Sequence, residues 1–256
     1  MMTQTGQTSL VTVPAVPFEL QLLSQAHQYQ KWVADSVRPY MGQRILEVGA
    51  GIGNMSRWLP LRERLVLSEG DQGLAQELYR VIAGDFRGDS RAGVSIVDLA
   101  QDWARDYENE NFDTIVSFNV LEHIEDDLKA FRDLVGILKR SRAIGPKRLV
   151  TFVPAHPWAF GSIDRTFGHH RRYSKSRLLS LAQTAAPEGD FYARHFNIIG
   201  LPSWFLMNRV LKKQNIGFGA IAAFEKLCPW VRGIDDFLHV RLRIPLGQSL
   251  LAVLTL

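Results

Sequence analysis

At 256 residues, with 46% hydrophobic and 22% charged side chains, the chain has the length and balance of one large globular domain, which excludes a disordered or low-complexity protein. No apolar run approaches the ~20 residues of a membrane span, no basic-then-apolar leader opens the chain, and the single cysteine, Cys228, excludes an internal disulfide and a cysteine-cluster metal site, so a cytoplasmic location is expected. Residues 1–139 carry 13 Lys/Arg against 20 Asp/Glu and residues 140–256 carry 17 against 6; the basic second half suits an anionic substrate, a membrane surface or nucleic acid, or consists of solvated helix faces.

Residues 1–17 hold no charge and are rich in Thr, Gln, Val and Pro, so they read as a loose N-terminal tail. In 18–43, Leu20, Leu23, His27, Trp32 and Val37 recur at helical intervals before Pro39, which predicts one helix or two short ones ahead of the first strand. From Arg44 the apolar run Ile45, Leu46, Val48 predicts a buried strand. It ends in glycines at alternate positions, Gly49, Gly51 and Gly53, and residues 54–59 are expected as a helix stopped by Pro60. Glycines between a strand and a helix bring bare backbone close to a ligand. The spacing is G-x-G-x-G, because the third glycine of a dinucleotide site would fall at Asn54. Glu47, two places before the first glycine, suits a cationic or zwitterionic ligand better than a pyrophosphate.

The string E-V-G-A-G-I-G resembles the first motif of the class I, Rossmann-like S-adenosylmethionine-dependent methyltransferases, in which this loop wraps the methionine part of the cofactor. The resemblance implies S-adenosylmethionine as cofactor, with contacts from Glu47, Gly49, Ala50, Gly51, Gly53 and Asn54. It also makes Tyr29 and Trp32 candidates to cap the pocket, the alternative being ordinary core aromatics. A second buried strand over 64–68, with Leu65, Val66 and Leu67, ends in Glu69, Gly70 and Asp71. That is about 20 residues past the glycine motif's start, where nucleotide folds place a carboxylate on ribose hydroxyls, so Glu69 takes the role with Asp71 in reserve. After a helix over 72–82 and a polar loop over 84–93, a third strand at 94–97 closes on Asp98 and Leu99. By the resemblance Asp98 accepts from the adenine amino group and Leu99 lies against the ring; otherwise Asp98 caps a helix over 100–107.

A fourth strand, Thr114 to Phe118, delivers Asn119, Val120, Leu121, Glu122 and His123 to the same sheet rim. N-V-L-E-H-I resembles the fourth motif of small-molecule class I methyltransferases, which lies beside the cofactor's methionine and its transferable methyl. His123 is a candidate general base or a structural histidine, and Glu122 an anchor of the loop or a base. An amphipathic helix over 128–139 and a strand over 148–153 follow. The stretch from Pro154 to Ser174 is too long and too rich in His, Arg and aromatics for a connector. It resembles a bacterial methyltransferase subgroup with V-P-A followed by D-R-x-x-G-H-x-R-R-Y. The resemblance places Asp164, Arg165, His169, His170, Arg171, Arg172 and Tyr173 around the acceptor, as proton acceptors or as clamps for a carboxylate or phosphate. The arginines could instead pair with acids of the first half. His156, His169 and His170 fit no standard ligand spacing, so no metal is expected.

A helix over 174–185 capped by Ser174 and a strand over 191–199 precede an apolar, helical insertion at 200–246, which could be a lid, a subunit contact or a membrane-surface element. A last strand occupies 247–256. The order predicts a three-layer α/β/α, Rossmann-like sandwich with a mostly parallel seven-stranded sheet, its core spanning 44–199 and 247–256. The expected function is transfer of a methyl group from S-adenosylmethionine, leaving S-adenosylhomocysteine, to an O, N or C of a small-molecule acceptor, hydrophobic or anionic, by a monomer or homodimer. Cyclisation of the cofactor, alkyl transfer and non-catalytic cofactor binding are the alternatives. Nucleic acid is not the expected acceptor, since N-V-L-E replaces the D/N-P-P-Y/F/W string of base-methylating enzymes.

Overall fold

The computed structural model describes residues 16–97, 103–107, 109–214 and 217–256. Seven strands form one sheet: β1 (Arg44–Val48), β2 (Arg64–Glu69), β3 (Ala92–Ile96), β4 (Thr114–Phe118), β5 (Arg148–Pro154), β6 (Asp190–Phe196) and β7 (Ser249–Thr255). Their order is β3-β2-β1-β4-β5-β7-β6. The first five are mutually parallel, and β7 runs antiparallel to both of its neighbours. The α-helices are α1 (Phe18–Leu23), α2 (His27–Val37), α3 (Gln72–Gly84), α4 (Asp127–Arg140), α5 (Ser162–Thr166), α6 (Lys175–Ala185), α7 (Gly200–Phe205) and α8 (Phe218–Asp236).

The central strands read as continuous apolar runs because helices cover both faces of the sheet. Successive side chains point to opposite faces. Ile45, Leu65, Leu67 and Val116 enter a core closed by α2, α3 and α8, while Leu46, Val48, Val66 and Ile115 enter one closed by α4 and α6. Side chains start the helices: Asp71 accepts from Gly73 and Leu74 N–H at 2.7 and 3.0 Å, and Ser174 accepts from Arg177 N–H at 3.1 Å, as its position suggested. Glu225 of α8 accepts from the Gln28 and Tyr29 amides in the first turn of α2, at 2.6 and 3.0 Å. Arg232 pairs with Asp35 at 2.8 Å. The inner face of α8 therefore belongs to the helical layer itself.

Four expectations need correction. Residues 54–59 form turns and one 3₁₀ turn at Ser56–Trp58 rather than a helix, since Gly53 at φ 79° breaks the helical path and Asn54 Nδ2 reaches back to Leu20 O at 2.8 Å. The sixth strand stops at Phe196 because Asn197 turns to φ 62° and accepts from Gly200 N–H at 2.9 Å, opening α7. Asp71 is engaged as the cap of α3, which removes it as the ribose reserve. Trp32 is fully buried, its ring 4.1 Å from that of Phe196, and so is a core aromatic. Residues 1–15 of the expected tail, together with Asp98 and Leu99, lie outside the described residues.

Candidate active site

Because β1 to β4 are parallel, their carboxyl ends share one sheet edge, and Gly49, Glu69 and Asn119 stand on it together. The chain leaves β1 toward β2 on one side while β4 lies on the other, the topological switch where open α/β sheets bind ligands. Gly49 and Gly51 hold φ of 67° and 58°. A Cβ at Gly49 would come within 2.6 Å of Val120 Cγ2, so this turn requires glycine for conformation and for space. Gly53 serves the packing instead, since its missing Cβ leaves room for Val81 of α3.

Glu47 is 2% exposed, and its Oε2 has no hydrogen-bond partner. Burial, with the charge of Glu69 adding, pushes its carboxyl up to about 8. It lines a cavity of about 90 Å³ with Gly49, Ala50, Asn54, Asn119 and His123, covered by Leu20 and Leu23 of α1. A buried carboxylate with an open oxygen beside bare glycine backbone fits an ammonium or sulfonium group. Glu69 Oε2 accepts from Gly51 N–H at 2.8 Å, and its Oε1 accepts from Gly70 and Asp71 N–H at 2.8 and 3.1 Å. The carboxylate thus faces the glycine loop, with lone pairs left for a diol.

A second cavity, of about 450 Å³, adjoins the first, and Glu19, Leu23, Tyr29 and Asn119 line both. Its walls are mostly apolar, from Phe167, Trp204, Met207, Ile221 and Phe224, with His169, Arg172 and Asn197 as polar points. That size and lining suit a small organic molecule. The rings of His123 and His169 lie 4.7 Å apart at the junction of the two cavities.

The stretch after β5 builds this junction around Asp164, which is fully buried. Its carboxylate accepts from Arg172 Nε at 2.7 Å, Asn208 Nδ2 at 2.6 Å and Gly161 N–H at 2.9 Å, and meets His169 Nδ1 at 3.1 Å. Burial alone would depress the His169 imidazole, yet the Asp164 contact and the Glu19 and Glu122 carboxylates hold it up at about 9. His123, open to solvent on one side, is driven the other way, by burial and then by the neighbouring His169 charge. Glu122 is fully buried with both oxygens unpartnered, and burial pushes it up to about 8. His169 is therefore a cation at neutral pH and His123 a neutral imidazole. Glu19, His123 and His169 each offer a ligand atom within 4.8 Å of the others, the one such grouping among the described residues. The imidazolium of His169 already supplies a positive charge there.

Several expected contacts fall elsewhere. Tyr173 is fully buried and donates to Leu121 O at 3.0 Å beside Asp127, so it buttresses the turn rather than facing an acceptor. Asp164 positions His169 and Arg172 and lines neither cavity. His170 is exposed, with its backbone N–H on Glu122 O at 2.8 Å. Leu121 is a core residue and Gly70 is exposed. Arg171 donates to Ile124 O and Glu125 O and pairs with Asp127, the structural use open to it. Glu19, Asn197 and Trp204 line the second cavity without any motif to mark them; only the lone acid opening an apolar helix hinted at Glu19.

A methyltransferase domain model matches residues 21–151. No curated protein sequence matches the chain. Among solved structures, the methyltransferase domain of a bacterial Hen1 (CtHen1-C) superposes with a TM-score of 0.54 at 13% identity, over 91% of this chain and 98% of that one. The [4+2]-cyclase SpnF gives 0.56 at 18%, over 88% and 80%. Magnesium protoporphyrin IX methyltransferase of Synechocystis, with S-adenosylhomocysteine bound, gives 0.50 at 14%, over 70% and 80%. At such identities the likeness is one of fold.

Proposed function

The chain belongs to the methyltransferase-domain family, and from that premise we propose that it methylates a small, largely apolar molecule seated in the 450 Å³ cavity. The observation that carries this reading is the joining of two unlike cavities at Asn119 and Tyr29. One is floored by the buried Glu47 carboxyl, one oxygen of which has no partner, and by glycine backbone, and the other is walled by apolar side chains. S-adenosylmethionine, when bound, supplies a methyl group already activated by its sulfonium.

The remaining work belongs to the protein. Glu47 would receive the cationic end of the cofactor and Glu69 its ribose diol, while the glycine loop and Asn119 would keep it against the rim. The apolar walls of the second cavity would hold the acceptor and exclude water, which is most of what an activated donor needs. A hydroxyl or amine acceptor must release a proton as it is methylated. Neutral His123 takes it at the junction, and the His169 cation stabilises negative charge developing on the acceptor.

Incubation with methyl-labelled S-adenosylmethionine and a panel of apolar phenols, amines and hydroxy acids tests this reading. Label in an acceptor with matching S-adenosylhomocysteine is the expected result, and His123→Gln should lower kcat by about 10²-fold or more. Methylthioadenosine release without a methylated product, or no cofactor binding in calorimetry, would overturn it.

A further inference from the structure

The segment between β6 and β7 has two apolar faces. The inner face of α8 buries Cys228 and Val231 in the core. On the outer face, Leu227, Trp230, Ile234, Phe237 and Val240 follow one another at three- and four-residue steps and are 59, 77, 51, 57 and 60% exposed. Scattered apolar residues need no explanation; a five-residue stripe along one helix face and its continuation does. The stripe begins at the second cavity, since Ala220 and Ala223 both line that cavity and lie exposed two turns and one turn before Leu227.

The charges around it are of one sign. The three acids of residues 200–246 are all held by the protein. Glu225 binds the amides that open α2, Asp235 binds the Asn197 and Ile198 amides and His239, and Asp236 pairs with Arg194 and Arg232. In contrast, Lys226 on the helix and Arg241 and Arg243 directly after it are exposed and have no acidic partner among the described residues. Apolar and aromatic side chains edged by cations match a membrane interface with anionic head groups, where rings enter the acyl boundary and cations stay at phosphate level. A second copy of the chain fits less well, because a two-fold axis through this face would set like charges opposite one another. No helix among the described residues is long and apolar enough to cross a membrane, so the contact is one of lying on the surface.

We infer that the outer face of α8 and the basic turns beside it seat the protein on an anionic lipid surface, and that the acceptor is an amphiphile drawn from that surface through the Ala220–Ala223 rim into the second cavity. The assignment of the acceptor rests on the methyltransferase reading above; the docking surface does not.

Flotation with vesicles of phosphatidylcholine, with and without phosphatidylglycerol, tests the surface, and S-adenosylhomocysteine calorimetry on the same samples tests the other reading separately. The wild-type chain should float with the anionic vesicles, and far less with phosphatidylcholine alone or at high salt. Lys226→Gln and Arg243→Gln should each lower binding about fivefold. The pair Trp230→Ser and Phe237→Ser, both exposed and so harmless to the core, should abolish it while S-adenosylhomocysteine affinity stays unchanged. Absence of vesicle binding, binding indifferent to all four substitutions, or a soluble dimer that Trp230→Ser dissolves would overturn the inference. Vesicle binding without S-adenosylhomocysteine binding would overturn the acceptor assignment and leave the docking surface standing.

Discussion

A single buried carboxyl makes the cofactor pocket sensitive to protons. Glu47 sits at about 8 while the pocket is empty, but it must ionise to face a cation, so binding below that pH releases a proton. Cofactor affinity should then rise about tenfold per pH unit up to pH 8 and level off above it. Calorimetry in buffers of different ionisation enthalpy measures the released proton, Glu47→Gln should flatten the profile, and a flat wild-type profile would remove Glu47 from cation recognition. Asp164 works through other residues. Asp164→Asn strips the charge that Arg172 and His169 share, which should cost about 3–5 kcal/mol of stability. With burial then less opposed, the His169 imidazole should titrate well below its present value of about 9, as NMR would follow. The parts of the site legible in the sequence were those whose chemistry is local to a strand end: Glu47, the glycines, Glu69 and the turn after β4. Asp164 was visible as unusual, yet its role depends on Asn208, 44 residues away, and no spacing announces such a partner.

At the scale of elements, α1 is the part that closes over the site. Leu20 lies 3.1 Å from where a Cβ of Gly51 would stand, its carbonyl holds Asn54 Nδ2, and Leu20 and Leu23 close a cavity of about 90 Å³. The helix is six residues long and only Leu22 of it is buried, so its opening costs little. Hydrogen exchange at the Gln25 and Ala26 amides, which bond Leu22 and Leu23 carbonyls, should slow when S-adenosylhomocysteine binds. Leu20→Ala should speed ligand release, and unchanged exchange would show that the ligand enters by another way. Strands and amphipathic helices were readable because their periods match the faces they bury. The turn after Gly53 was misread because one positive φ decides it, and the sixth strand was overextended because Asn197 looks like any polar residue until it bends. The 200–246 segment read as an addition to the fold. Half of it is the missing helix of the third layer, a role fixed by contacts with α2 that lie nearly 200 residues away in sequence.

Over the whole molecule, the opposed charges of the two halves meet in places: Arg177 and Arg171 bind Asp127, and Arg232 binds Asp35. The buried titratable groups give stability a direction in pH. Glu47 and Glu122, each raised to about 8, and His169, raised to about 9, bind more protons in the folded chain than in the unfolded one. Their contributions are therefore complete on the acid side and fade as pH rises, ending at about 8 for the carboxyls and about 9 for the imidazole. His195, pushed down to about 4 by burial and the nearby His156 charge, acts in reverse and costs stability below pH 6.5; His123 and His156, also lowered, add to it. The opposing slopes meet near neutrality, and above pH 6.5 Glu47, Glu122 and His169 all pull downward. The thermal midpoint of the ligand-free protein should accordingly fall from pH 6.5 to 9, at up to about 1.4 kcal/mol per pH unit for each proton lost. Glu47→Gln should shallow the decline below pH 8, and S-adenosylhomocysteine should do the same by binding the ionised form. A midpoint that rises across this range would mean that these groups are not held in their raised states.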